Sequence, residues 1–290
     1  MNVHAESIEV NGRHYRRPIS PVVVVCIDGC ESAYLDEAMA ADKMPWLRAT
    51  LAGGASRLEA DAVVPSFTNP NNLSIVTGVP PAVHGISGNY FLDAESGQEV
   101  MMNEPHLLRA PTLFAAFAAQ GAKIVVITAK DKLRRLLGHG LNMAEGNHVC
   151  FSAEHADQVT RERNGISDTL SLTGMAVPSV YSAALSEFVF AAGVKLLTAH
   201  SPDLMYLSTT DYVQHKHAPG AGPANEFYAM MDGYLATLDA AGATIAITAD
   251  HGMNAKHDEN GNANVVYLQD CLNNEVATTP KVILPITDPY

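Results

Sequence analysis

The sequence predicts an α/β fold, a mainly parallel sheet sandwiched by helices, and three observations predict it. Four short apolar runs, mostly rich in β-branched residues, read as strands, and helical stretches alternate with them. Several of those helices begin at or near proline and end at or near glycine, the usual asymmetry of helix ends. Strands that alternate with helices build βαβ units, which place helices on both faces of a parallel sheet.

The first strand is Pro21 to Ile27, a Val-rich run that stops at Asp28-Gly29 and reads as buried on both faces. Lys123 to Ala129 is the second, Asp203 to Ser208 the third and Ala243 to Ala249 the fourth. Helices are expected at Pro45 to Leu51, Pro111 to Gln120, Pro178 to Ala199 and Gly222 to Ala241. The segment from Gly138 to Thr173 is polar and weakly periodic, and it reads as an excursion from the sheet. No repeat or low-complexity tract divides the chain, so 1–290 is expected to form one catalytic core.

Composition excludes several function classes. A formal net charge of −13 gives no global attraction to nucleic acid or to an anionic membrane. No run approaches the ~20 apolar residues of a membrane span, and Met1 to Pro18 has no apolar signal core. The four cysteines, Cys26, Cys30, Cys150 and Cys271, lack the paired spacing of a zinc site. Cys26 ends an apolar run and reads as a buried thiol, which fits a reducing, cytoplasmic setting. Oligomeric state stays open, a homodimer included.

Chemistry gathers at strand ends. Asp28 follows the first strand, Asp211 follows the third with His215 four residues on, and Asp250-His251-Gly252 closes the fourth. In parallel sheets ligands bind beyond the carboxyl ends of the strands, so these distant residues can converge. Carboxylate oxygen and imidazole nitrogen suit a borderline cation such as Zn²⁺. Each acid alone also fits a helix cap or turn former.

A second element is Val64-Pro-Ser-Phe-Thr68-Asn-Pro-Asn-Asn-Leu-Ser-Ile-Val-Thr-Gly78, which places Thr68 at the start of a helix running to about Thr77. A hydroxyl there faces unpaired N–H groups and the positive end of the helix dipole, where anions bind; a simple N-cap is the alternative.

The stretch Pro65-Ser-Phe-Thr68-Asn-Pro, then Ser74-Ile-Val-Thr-Gly78, then Pro81-Ala-Val-His84-Gly-Ile-Ser-Gly-Asn89-Tyr-Phe91 resembles the nucleophile region of nucleotide pyrophosphatase/phosphodiesterases and phosphonoacetate hydrolases. Ala249-Asp250-His251-Gly252-Met253 and Asp211-Tyr-Val-Gln-His215 resemble the metal motifs of the same alkaline phosphatase superfamily. The resemblance implies an alkaline phosphatase-like core with two Zn²⁺ ions and Thr68 as nucleophile. One zinc would be held by Asp28, Thr68, Asp250 and His251, the other by Asp211 and His215, and Asn89 would hold a phosphoryl oxygen. His84-Gly85 matches a structural turn. Sulfatases of the superfamily carry a Cys or Ser matured to formylglycine in a Cys/Ser-x-Pro-x-Arg context; here Thr68 is followed by Asn69-Pro70-Asn71, which disfavours that activity and leaves the phosphodiesterase and phosphonoacetate branches.

Thr128-Ala-Lys130-Asp-Lys132, directly after the second strand, resembles the paired lysines of phosphonoacetate hydrolases. Cleaving a C–P bond expels a carbanion that must spread its charge onto a carboxylate, and cations placed there stabilise it. Lys130 and Lys132 are also the first turn of a helix beside Arg134 and Arg135, but cations are unfavourable at a helix N-terminus. The expected substrate is therefore a small phosphonate, with a phosphodiesterase or a metal-binding fragment without turnover as alternatives. The family's cap domain and a last metal-ligand histidine are expected beyond Met253. The chain reaches Pro285-Ile-Thr-Asp-Pro-Tyr290 soon after, so the expectation is a core truncated before both, with a second zinc site short of one ligand. His217 and His257 are candidates to replace it.

Overall fold

A computed structural model describes residues 7–278 and 280–283. Pro285 to Tyr290, on which the expectation of an early end rests, lie outside the described residues. In chain order the strands are β1 (Ser7–Val10), β2 (Arg13–Arg16), β3 (Val22–Cys26), β4 (Tyr90–Leu92), β5 (Glu99–Met101), β6 (Ile124–Thr128), β7 (His148–Ser152), β8 (Leu204–Ser208) and β9 (Thr244–Thr248). The central sheet has five strands in the order β7-β6-β8-β3-β9, and every pair in it is parallel.

The pleat sends alternate residues to opposite faces. Val23, Val25, Val125, Ile127, Met205 and Leu207 pack with helices Ser32–Ala40, Ala184–His200 and Gly222–Ala240. Cys26, Ile124, Val126, Cys150 and Tyr206 pack on the other face with helices Thr68–Thr77, Leu113–Ala119 and Asp131–Leu137. Both faces are thus covered, as the α/β expectation requires, and Cys26 is a buried free thiol. No helix among the described residues is long and apolar enough to cross a membrane.

Two expectations need correction. The segment Gly138 to Thr173 is not wholly an excursion, because it supplies β7, an edge strand of the central sheet. All five residues of β7 are buried, but His148 and Ser152 flank a run of only Val149-Cys150-Phe151, too short to read as a strand. The helix expected from Pro178 begins at Ala184, because Ser182 Oγ donates to Ser179 O (2.7 Å) in a preceding turn.

Candidate active site and metal centre

The sheet register builds the site. Thr128, Ser208, Cys26 and Thr248 lie abreast, so the residues after them leave the sheet along one edge. Lys130 thus follows β6, Asp211 follows β8, Asp28 follows β3, and Asp250-His251 follow β9. Gly29 has φ +68°, and a Cβ there would stand 3.1 Å from Asp211 Cβ and 3.3 Å from Met253 Cε. Only a glycine lets the Asp28 turn approach Asp211 so closely.

A cavity of about 320 Å³ opens at this edge. Asp28, Thr68, Asn89, Lys130, Lys132, Asp211, His215 and His251 all line it, with Ser66, Asn69, Met101, Asn103 and Thr209 among their neighbours. Asp250 does not line it but lies beneath, 2% exposed. Neither His217 nor His257 lines it, so neither stands where a missing ligand would be needed. His257 is exposed in a loop bridge to Ala263, and His217 O accepts from Tyr34 Oη (2.8 Å).

Asp28, Asp211 and His251 each offer one ligand atom, all within 4.8 Å of one another. His251 Nδ1 lies 3.0 Å from Gly252 O and donates to it, which turns Nε2 toward Asp28 Oδ1 (3.2 Å) and Thr68 Oγ1 (3.4 Å). His215 Nε2 pairs with Asp211 Oδ2 at 2.9 Å across one turn. Asp211 therefore belongs to both groups.

The electrostatics fit a cation. Burial and the nearby charges of Asp250 and Asp211 push the Asp28 carboxyl well above its ordinary range, and burial also raises Asp250. Burial opposes the charged form of Asp211, but its hydrogen bond and ion pair with His215 outweigh this and hold it low, with help from Lys130. Burial lowers His251, yet the Asp28 hydrogen bond and the charges of Asp250 and Asp28 raise it to about 10. Asp28 Oδ1 is buried, and beyond the ion pair with His251 Nε2 it finds no hydrogen-bond donor among the described residues. A cluster of acids with a buried carboxylate oxygen met by a single donor is a set that a divalent ion satisfies.

Thr68 is the first residue of helix Thr68–Thr77, which ends at Gly78 in the left-handed conformation. Asn89 lines the same cavity, and its Oδ1 is buried without a hydrogen-bond partner among the described residues. Lys130 and Lys132 stand at the start of helix Asp131–Leu137. Their neighbours Arg134 and Arg135 turn away, to Asp131 (2.5 Å) and Glu104 (2.8 Å). The four basic residues thus divide, and the lysines are the two that reach the cavity.

Residues 22–288 match the type I phosphodiesterase / nucleotide pyrophosphatase family. The chain belongs to that family. It is 58% identical to the phosphonoacetate hydrolase of Sinorhizobium meliloti 1021, with a TM-score of 0.93 over 99% of this chain and 69% of that one; that protein has been solved with phosphonoformate and with phosphonoacetate. An uncharacterized pyrophosphatase/phosphodiesterase of Schizosaccharomyces pombe is 30% identical over 133 residues, 45% of this chain and 24% of that protein. The chain therefore matches about a quarter of the yeast relative's length. Murine ectonucleotide pyrophosphatase/phosphodiesterase 5 shares the fold at 17% identity and a TM-score of 0.54, over 82% of this chain and 58% of that one. The alkaline phosphatase PafA shares it at 15% and 0.57, over 83% and 64%. The core is thus alkaline phosphatase-like.

Around this family's site the structure adds residues that sequence reasoning passed over. Thr209 Oγ1 accepts from Asp28 N (3.0 Å) and pins the first strand-end acid. Asn69 Nδ2 donates to Met102 O and to Asn103 Oδ1 (both 3.1 Å), tying helix Thr68–Thr77 to the loop after β5. Asn72 and Tyr206 lie deeper, beside Asp250. The one signal for them was compositional: Asn69, Asn71 and Asn72 crowd a helix that is otherwise buried. His84 stays outside the cavity, fully buried. Its Nδ1 accepts from Ile86 N (3.1 Å), so Nε2 donates to Ser74 Oγ (3.0 Å), a bracing role.

Proposed function

We propose that this chain hydrolyses the carbon–phosphorus bond of phosphonoacetate to acetate and phosphate through a phosphothreonine. The carrying observation is the composition of one cavity, in which Thr68 and the Asp28–Asp211–His251 cluster share the lining with Lys130 and Lys132. The relative at 58% identity supports the choice of substrate. Asp28, Asp250 and His251 with Thr68 would hold one Zn²⁺, and Asp211 and His215 a second, with Asp211 within reach of the first. Bound there, such ions lower the pKa of a coordinated hydroxyl and polarise phosphoryl oxygens.

The residues of the chain supply the rest. The opening of helix Thr68–Thr77 directs N–H groups without helical acceptors at an incoming anion. Asn89, in the same cavity, steadies a phosphoryl oxygen. Thr68 Oγ attacks phosphorus, an O–P bond forms as the C–P bond breaks, and the electron pair passes to carbon and on to the carboxylate as an enediolate. Lys130 and Lys132 stabilise that charge as it develops. Protonation at carbon gives acetate, and water then attacks the phosphothreonine, releasing phosphate and restoring the hydroxyl.

A phosphodiester leaves as an alkoxide and gains nothing from the lysines, yet the family match keeps that activity as the second reading. Phosphate release from phosphonoacetate should be measured beside hydrolysis of a chromogenic phosphodiester, each with and without chelator. Release from phosphonoacetate alone, abolished by chelation, is the expected result. Turnover of the diester alone would replace this reading with the second, and metal binding without any turnover would leave a binding protein.

A further inference from the structure

Asn72 is 0% exposed, an asparagine inside a helix with no access to water, and every polar atom of its side chain is engaged. Its Nδ2 donates to Thr68 O (3.1 Å) and to Asp250 Oδ2 (3.0 Å), while Tyr206 Oη donates to its Oδ1 (2.8 Å). The backbone carbonyl and the carboxylate can only accept, and the phenol can donate, so the network admits one orientation of the amide. One NH₂ group thereby joins the first peptide of the nucleophile helix to a buried acid at the end of β9.

The consequence lies in the lone pairs of Asp250. Its Oδ1 accepts from Gly29 N (3.3 Å) and from His251 N (3.0 Å). Among the described residues its Oδ2 accepts from Asn72 alone, and it is this oxygen that lies 3.9 Å from His251 Nε2. A carboxylate has about four lone-pair sites, two on each oxygen. Three are taken by these bonds, and the fourth is on Oδ2, the oxygen that approaches His251. We propose that Asn72, oriented by Tyr206, is a positioning residue that aims this lone pair of Asp250 at the cation and sets Thr68 in register with it. The inference rests on the metal-site reading proposed above.

The test is Zn²⁺ affinity, measured by competition with a chromophoric chelator, beside phosphonoacetate turnover at saturating Zn²⁺. Asn72→Ala is expected to weaken Zn²⁺ binding by ~10- to 100-fold, the usual effect of losing a group that orients a metal ligand. It is also expected to lower kcat at saturating Zn²⁺, because Thr68 O loses its tie. Tyr206→Phe keeps the ring in the core and removes only the orienting hydroxyl, so it should shift affinity the same way by less. Asp232 accepts from Trp46 N and Leu47 N at the start of helix Pro45–Ala52 and does not line the cavity, so Asp232→Ala shows what destabilisation alone does and should bind Zn²⁺ as the wild type does. Wild-type affinity and kcat in Asn72→Ala, with only a lower Tm, would overturn the inference. If Asn72→Ala fails to fold, wild-type affinity in Tyr206→Phe overturns it equally. A wild-type protein that binds no Zn²⁺ would instead remove the metal-site reading, a result distinct from either variant's.

Discussion

Replacing Lys130 by methionine should separate the two substrate classes. The variant keeps the backbone in place, because Thr128 Oγ1 donates to Lys130 O (2.7 Å) and Glu154 Oε2 accepts from Asp131 N (2.8 Å). What disappears is one half-buried cation lining the cavity. Losing one preorganised group that stabilises transition-state charge lowers turnover by ~10²–10³-fold, about 3 kcal/mol. Lys132 is exposed, where solvent screens its charge, so Lys132→Met should lower turnover by only about fivefold or less. The Lys132 effect should fade toward 1 M salt, where the Debye length is ~3 Å.

A correction applies to both substrates. Lys130 helps to hold the Asp211 carboxyl low, so Lys130→Met weakens Asp211 as an anion whatever the substrate. The informative quantity is therefore the ratio of kcat/KM for phosphonoacetate to that for a chromogenic phosphodiester, measured at saturating Zn²⁺. That ratio should fall by ~10²-fold in Lys130→Met. An equal loss on both substrates, leaving the ratio unchanged, would refute the assignment of Lys130 to the carboxylate.

Three further outcomes are expected. Thr68→Ala should abolish phosphate release while Zn²⁺ content measured by atomic emission stays largely intact; substantial release would end the nucleophile assignment. In the chelated protein His251 is raised from 6.5 to about 10, so its stabilising contribution is complete below pH 6.5 and is lost as pH rises through about 10. Urea unfolding in chelator should show stability falling over that window, with a flatter profile for His251→Gln. Asp232 accepts from Trp46 N and Leu47 N (both 2.9 Å) and caps helix Pro45–Ala52, whose own N-cap Met44 makes no side-chain bond. Asp232→Ala leaves two donors unpaired and should lower unfolding free energy by about 2–4 kcal/mol, while a loss under about 0.5 kcal/mol would contradict the capping role.

The parts of the fold that were legible in sequence share a cause. Four of the five sheet strands are apolar runs ended by a polar turn; β3, β6 and β8 lie inside the sheet with little solvent side to alternate with, while the edge strand β9 alternates exposed Thr244 and Ala246 with Ile245 and Ile247. β7 escaped because its terminal His148 and Ser152 are buried while polar, a fact that composition does not carry. The β1–β2 hairpin did leave a signal, since Asn11-Gly12 is a turn pair that takes positive φ at both residues (50° and 77°). At the site, the strand-end acids were visible because position along the chain determines their place at the sheet edge. Asn72, Tyr206 and Asn103 were not, because their contribution depends on hydrogen bonds across 134, 178 and 34 residues of sequence.

The ordering of charge along the sheet edge gives the site its logic. Lysines follow β6, Asp211 follows β8, Asp28 follows β3, and Asp250-His251 follow β9, in the spatial order of those strands. Neighbouring strands lie ~4.8 Å apart, so the lysine end and Asp28 are separated by roughly 10 Å, with Asp211 between them. A phosphonate with a carboxylate is anionic at both ends. The lysines suit one end directly. At the other end stand three acids on a chain whose net charge is −13, the wrong sign for a phosphoryl group. Burial raises both Asp28 and Asp250, and the charges of Asp250 and Asp211 raise Asp28 further, a destabilising arrangement that a fold would shed unless something offset it. On the proposed reading, divalent cations would reverse the sign at that end and complete the contacts of Asp28 Oδ1. On that reading the acids that repel a phosphonate in the bare protein would become, with metal, the means of binding it, while the lysines need no such conversion.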